Sequence, residues 1–397
     1  MHDYCGHPFQ IELSRWLARE GHQVCHCYSQ DIESPRGEMS RVTPGLAVEA
    51  LSQGRPVPKY KLVQRSFEER RYGTLAAARV RAFQADIVLS GNAPPAIQSA
   101  LQHSVHKNGG AFVYWLQDIV SAVLDRVLPQ RLPLAGRAIA ARFRAYEYGV
   151  MKRSDAIVAI SEDFVERCVR QGVGKEKILV QHNWAPLAEI VPVPRNNAWA
   201  RKHGLADKFV FLFSGTLGLK HNPGLLSQLA ESLRERDDVV VAVVSQGLGR
   251  QWLEEEAASR NLRNLKLFDF QPFDQLSNVL GSADVLTAIL EPFAGELSVP
   301  SKILSYLCAE RALLAALPAE NLASRIVRGS GAGKIVSPSD ADGFIAAAKS
   351  FIDEPGQLSK CATAGRVYAE DNFDIDRIGN RFLELFRGLD TGRRLRC

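Results

Sequence analysis

The 397-residue sequence is short of several features that would fix its class at once. Its seven cysteines (Cys5, Cys25, Cys27, Cys168, Cys308, Cys361 and Cys397) are odd in number and form no C-x-x-C pair. That excludes a disulfide framework and points to reduced thiols. No apolar run reaches the ~18–20 residues of a membrane span. No basic-then-apolar signal segment opens the chain. The expectation is therefore a cytoplasmic protein, held at most peripherally on the inner face of a membrane. Charge of one sign is also scarce. A formal +5 is far below the excess of a dedicated nucleic-acid binder, so no nucleic acid partner is expected. The excess is uneven: residues 1–192 carry 24 Lys+Arg against 19 Asp+Glu, and residues 193–397 carry 25 of each.

What is present is 46% hydrophobic and long enough for two domains with substantial cores. In the first half, helical periodicity over 10–20, 75–84, 96–108, 138–152 and 162–171 alternates with short apolar runs at 23–28, 86–90, 111–116, 156–160 and 177–181. The proline-rich run VPVPRNN at 191–197 reads as a linker, and the alternation then restarts. Strands are expected at 209–213, 239–244, 265–268, 285–289, 313–317 and 334–336, with helices between them and a final helix over 376–388. Short strands alternating with helices predict α/β architecture, with helices on both faces of parallel sheets. The expected division is an N-terminal domain at 1–192, a linker at 193–205, a C-terminal domain at 206–375, and a terminal helix and basic tail at 376–397 crossing back to the first domain. Two such domains imply a cleft between them. The opening run MHDYCGH is loop-like and enters a helix directly, so the first strand of the first sheet is expected to be missing.

Two turns in the second half suit an anion. FSGTLGLKHN (213–222) follows an apolar strand and precedes a helix at Pro223. Gly215 and Gly218 permit a tight turn with close backbone approach. The following helix start offers unpaired N–H groups, and Lys220 adds charge. In VPSKILSY (299–306), Ser301 and Lys302 fall in a first helical turn, where a lysine opposes the helix dipole and so suggests an anionic partner. Taken alone, the first turn has an ordinary strand–helix loop as its alternative and the second a solvated lysine. Together, at the carboxyl ends of strands, they favour a phosphate site.

At these residues the chain resembles the family-4 retaining glycosyltransferases of the GT-B fold, within their colanic-acid and exopolysaccharide group. The shared motifs are SGTLGLKHN (214–222), VPSKILSYL (299–307) and GAGKIVSPSDADGF (331–344) in the second half. In the first half they are GHPFQ (6–10), YWLQDI (114–119), SDAIVAIS (154–161) and HNWAP (182–186). They occur in the family's order along nearly the whole chain. The resemblance implies two Rossmann-like domains facing a cleft. It also implies a nucleotide-diphosphate-sugar donor as co-substrate, no metal or other cofactor, and transfer with retention to a saccharide or polyprenyl-diphosphate-linked acceptor. By the same carry-over, Gly215, Thr216, Gly218, Lys220, Ser301 and Lys302 approach the donor diphosphate. Phe270, Gln271 and Pro272 sit by the base, and Glu320 and Asn321 by the donor. Gly6, His7 and Gln117 lie on the acceptor side, and Asp118, Lys302 and Glu296 are the catalytic candidates.

Several positions depart from the family pattern. Thr216 and Gln117 stand where many relatives carry Arg and His, and Glu310 where they carry Gly. The Glu-x7-Glu pair is not intact: Ser305 replaces the second acid, and Glu296 lies one residue from the first. Asp118, at a strand end, is either an acceptor-binding carboxylate or base, or a helix N-cap. The spellings Asp340-x-Asp342 and Asp374-x-Asp376 read as acidic helix starts rather than a divalent-cation site. His22, His26, His103, His106, His182 and His203 show no ligand spacing. Residues 131–153 hold six basic side chains against the single acid Glu147, with Ile139, Phe143, Tyr146 and Val150 at helical spacing. That segment is either an ordinary packed helix or one that docks on an anionic membrane surface. The other functions considered are a GT-B-fold nucleotide-sugar epimerase, a non-catalytic sugar-binding module and a dinucleotide oxidoreductase. The last lacks a strand-linked G-x-G-x-x-G.

Overall fold

A computed structural model describes residues 1–32, 34, 36–55, 62–218, 221–294 and 299–394. Its strands are β1 (His2–Asp3), β2 (Val24–Ser29), β3 (Leu46–Leu51), β4 (Ile87–Gly91), β5 (Ala111–Leu116), β6 (Ala156–Ala159), β7 (Ile178–Val180), β8 (Phe209–Ser214), β9 (Val239–Val244), β10 (Leu265–Phe268), β11 (Val285–Ile289), β12 (Ala312–Ala316) and β13 (Gly333–Val336). They form two sheets, ordered β3-β2-β1-β4-β5-β6-β7 and β10-β9-β8-β11-β12-β13. Every pairing in both is parallel. β5, β6, β9, β11 and β12 are buried at every residue, because helices cover both faces and leave no position for alternation. In each sheet the order runs outward from a central strand and then jumps to its other side, next to β4 in the first and next to β11 in the second. The carboxyl ends of strands at such a reversal are where α/β sheets bind ligands.

The chain packs as two compact units, residues 1–183 with the helix Ile375–Arg394, and residues 184–374. The core of the second is built on Phe211, Phe213, Val241 and Val243 under Leu226, Leu229, Phe344 and Phe351. The terminal helix is tied to the first unit by side chains. Trp16 Nε1 donates to Asp376 Oδ1 at 2.7 Å, and Arg381 donates to Gln181 Oε1 and Val180 O at 2.8 Å each. Gly379 lies so close that an added Cβ would stand 2.3 Å from the Trp16 ring.

Three expectations need correction. The first strand is not missing: β1 is two polar residues long and lies at the centre of its sheet. It is held by pairing on both sides, His2 with Cys27 and Ser90, Asp3 with Tyr28 and Gly91. A two-residue strand has no hydropathy pattern to read. The segment 193–205 is not a free linker but part of the second unit. Arg311 donates to Val193 O at 2.7 Å, Arg195 pairs with Asp284 at 3.0 Å, and Asn197 caps the helix Ala198–Lys202. The helix expected at 75–84 runs over Leu62–Phe83. Strand β3 and the helix Pro355–Asn372 went unpredicted.

Candidate active site

At the reversal of the second sheet, β8 ends at Ser214 and the chain turns at Gly215, whose φ is +138°. Only glycine adopts that backbone readily. The turn is pinned from below. Gly215 N–H donates to Val244 O at 3.0 Å, and Leu217 N–H to Ser245 Oγ and Gln246 O. Tyr306, on the helix Lys302–Cys308, clamps the strand end. Its hydroxyl accepts from Ser214 N–H at 2.9 Å and donates to Ser214 O at 3.0 Å. Lys302 opens the same helix. Its Nζ lies 3.6 Å from the centroid of the Phe213 ring and directly beneath Gly215. That nitrogen is buried and has no hydrogen-bond partner among the described residues. Burial pushes the ammonium down to about 7. Among the described residues no polar group meets this nitrogen, and the turn it faces carries no side chain, an arrangement that has room for an anion.

The other predicted donor residues distribute unevenly. Thr216 is exposed, and Gly218 N–H is taken by His221 Nδ1 at 3.1 Å. Ser301 is exposed and its side chain makes no capping bond. Lys220 and Glu296 lie outside the described residues. Phe270, Gln271 and Pro272 follow β10 on the same carboxyl edge, with Gln271 Oε1 accepting from Trp199 Nε1 at 3.2 Å. Glu320 is exposed. Asn321 is buried, and its side chain caps the helix Leu322–Ser330 through Ala323 N–H at 2.9 Å. Structural duties also account for both Asp-x-Asp spellings: Asp340 caps the helix Ala341–Asp353, and Asp376 holds Trp16.

The first unit has its own cavity of about 640 Å³ at the carboxyl ends of β1, β4 and β5, and His7, Gln117 and Asp118 line it. Gly6 (φ +79°) makes the turn between β1 and the helix Pro8–Arg19. Gln117 is buried and exchanges two amide hydrogen bonds with Asn183, at 3.1 and 2.6 Å. It therefore shapes the wall by pairing β5's end to the segment after β7. Asp118 is exposed on the cavity and does not cap the helix Val120–Arg131 that follows. That duty falls to the buried carboxylate of Glu147, which accepts from Val120 and Ser121 N–H at 3.0 Å each. Burial pushes Glu147 up, and these bonds partly offset the rise. Sequence reasoning missed Tyr306, Glu147, Asn183 and three further cavity residues, Asp31, Arg65 and Asn92. It also missed Asp3, the buried carboxylate beneath His7.

Two family models divide the chain between them. The glycosyl transferase 4-like domain matches residues 10–184, and glycosyl transferases group 1 matches residues 196–368. The chain belongs to the family-4 glycosyltransferases of the GT-B fold. Among relatives of this glycosyltransferase is WcaI of Escherichia coli (strain K12), whose name describes a colanic acid biosynthesis glycosyl transferase. It is 26% identical over 290 residues, which cover 71% of this chain and 69% of WcaI. The glycosyltransferase WbjE of Pseudomonas aeruginosa is 27% identical over 294 residues, covering 72% and 70%. Among solved structures, Anabaena HepE in complex with UDP-glucose superposes with a TM-score of 0.68 over 98% of each chain, at 13% identity. That likeness carries the fold. In this glycosyltransferase, then, the group 1 domain holds the Gly215–Lys302 site and the 4-like domain holds the cavity around His7 and Asp118.

Proposed function

We propose that this glycosyltransferase moves a sugar from a nucleoside-diphosphate donor to a saccharide hydroxyl on a lipid-linked acceptor, in assembly of a surface or secreted polysaccharide. The observation that carries the donor class is the buried Lys302 side-chain nitrogen under Gly215, which has no hydrogen-bond partner among the described residues. A diphosphate leaving group gains charge as the glycosidic bond breaks, and a fixed cation that meets it stabilises the transition state more than the ground state. HepE, whose structure holds UDP-glucose, supports a nucleotide sugar as the donor. Retention and independence of a divalent metal follow the family resemblance, with Lys302 and the Gly215 turn taking the role a cation would fill. A thermal-shift screen of UDP-, GDP-, ADP- and dTDP-sugars tests the donor class, since a ligand of the native state raises its apparent stability. A rise for one nucleotide, undiminished by EDTA, is expected. No rise for any of them contradicts the proposal.

The acceptor's lipid is supported by the helix Gly136–Arg153. Its one acid, Glu147, points inward, so Arg137, Arg142, Lys152 and Arg153 leave the exposed face basic. Leu132, Leu134, Ile139 and Tyr146 are large apolar side chains exposed on and just before it, and Leu134 is fully so. Val150, from the same stripe, is core. Among the described residues no helix is long and apolar enough to cross a membrane. Interfacial docking of a basic, apolar-tipped face fits this pattern. Sedimentation with anionic but not neutral vesicles is expected, and equal behaviour with both contradicts it.

A further inference from the structure

One face of the first sheet carries a cluster that lies outside both sites described above. Cys25 and Cys27 are two residues apart on β2, so the pleat turns both side chains to the same face. Glu49, on β3, is the register partner of Cys27 and shares that face. The two thiols are buried, and one donates to the other across 3.6 Å. Both sulfurs and a Glu49 carboxylate oxygen all lie within 4.8 Å of one another. Arg79, from the helix Leu62–Phe83, closes the group, its guanidinium donating to both Glu49 oxygens. A cavity of about 480 Å³ lies alongside, and Cys25, Cys27 and Arg79 line it. Neither cysteine nor Glu49 lines the cavity around His7 and Asp118.

Two sulfurs at this spacing can become a disulfide or two ligands of one metal ion, and the strand decides between them. A disulfide needs Cβ atoms ~3.5–4.5 Å apart. Residues i and i+2 of a strand stand about 6.6 Å apart. Pairing holds both cysteines in place, Cys25 with Ala47 and Cys27 with Glu49 and His2. Two thiolates on a tetrahedral zinc ion, each about 2.3 Å from it, stand about 3.8 Å apart, close to the spacing already present.

We propose that Cys25, Cys27 and Glu49 bind one zinc ion on this face, with a water from the adjoining cavity as fourth ligand. Binding replaces the two S–H bonds with Zn–S bonds, and both protons pass to solvent. Each Glu49 oxygen has two lone pairs and Arg79 engages one, so the carboxylate can hold the ion and the guanidinium together. The guanidinium offsets the third negative charge that two thiolates and a carboxylate place around a divalent ion. Soft thiolates select zinc over magnesium or calcium. The ion ties β2 to the edge strand β3 and takes no part in the transfer.

Cobalt(II) reads this site directly, because its thiolate complexes absorb in the near ultraviolet and its tetrahedral complexes in the visible, whereas zinc is silent. The reduced wild-type protein is expected to take up one cobalt ion with both absorptions, and one equivalent of zinc to bleach them. Cys25→Ser and Cys27→Ser should each weaken zinc binding at least about a hundredfold, and Glu49→Gln about tenfold or more with the thiolate absorption kept. Zinc should raise the melting temperature of the wild type and not of Cys27→Ser. A wild type without the thiolate absorption overturns the proposal whether or not the variants fold. So does an absorption that persists when Cys25→Ser and Cys27→Ser are combined, or a Cys25–Cys27 disulfide found by mass spectrometry of protein purified without reductant. Zinc affinity unchanged in Glu49→Gln overturns the three-ligand assignment.

Discussion

Gly215 and Lys302 are built against each other. A Cβ placed on Gly215 would stand 3.1 Å from Lys302 Cε and 3.2 Å from Nζ, closer than side chains ordinarily pack. The turn is therefore glycine for two reasons, its positive φ and the lysine beneath it. Gly215→Ala should displace the ammonium and strain the turn, weakening nucleotide-sugar binding at least about tenfold, a loss typical of one charged hydrogen bond. Calorimetry on the folded variant checks this, and wild-type affinity would show that the two residues do not form one site.

The depressed Lys302 makes binding pH-dependent. Held at about 7, the side chain is mostly neutral at pH 8, and a bound diphosphate favours its charged form. Binding at pH 8 should therefore take up close to one proton, and affinity should fall as pH rises above about 7. Titrations in buffers of different ionisation enthalpy read the proton directly. Without ligand the sign reverses. The unfolded chain keeps this lysine protonated up to its usual 10.5, so it binds more protons than the folded protein between about 7 and 10.5, and this group's contribution to stability rises with pH there.

Tyr306→Phe removes both hydrogen bonds that hold Ser214. The strand end keeps its packing but leaves a backbone N–H and C=O without that partner. The expected cost is about 1–3 kcal/mol in urea unfolding, with weaker donor binding because the Gly215 turn is released. A variant as stable as the wild type would show that the clamp does not matter.

Two buried histidines set an acid limit. Burial pushes His2 and His26 down to about 3 from 6.5, and each ring rests on a serine hydroxyl, Ser90 at 2.9 Å and Ser14 at 2.8 Å. Below pH 6.5 the unfolded chain protonates them and the folded protein does not. Stability is therefore complete above that value and is lost as pH falls toward 3, by up to about 1.4 kcal/mol per pH unit for each ring. Denaturant midpoints at pH 7 and pH 5 check this, and His26→Gln should flatten the slope.

Much of this was legible in the sequence, for identifiable reasons. Buried parallel strands such as AFVYWL and VVVAVV announce themselves by unbroken apolar runs, and the Gly215 and Lys302 turns by their place between strand and helix. What was hidden depends on partners far along the chain. Tyr306 acts on Ser214 across 92 residues, Glu147 caps a helix start 27 residues before it, and Gln117 pairs with Asn183 across 66. Asp3 is invisible because its strand is two residues long and exists only through its neighbours. Asn321 carries a second signal beside its place near the donor loop: an Asn immediately before a helical run is an N-cap, and it caps Leu322–Ser330.

Lys302 is the residue on which the proposed donor site depends. The most direct measurement is calorimetric titration of wild type and Lys302→Ala with the nucleotide sugar that stabilises the wild type. Lys302→Ala is expected to lose affinity about tenfold to a hundredfold or more, as removing a charged hydrogen bond implies, together with loss of proton uptake at pH 8 and an unchanged fold. Equal affinity and equal proton uptake in the two proteins would contradict it.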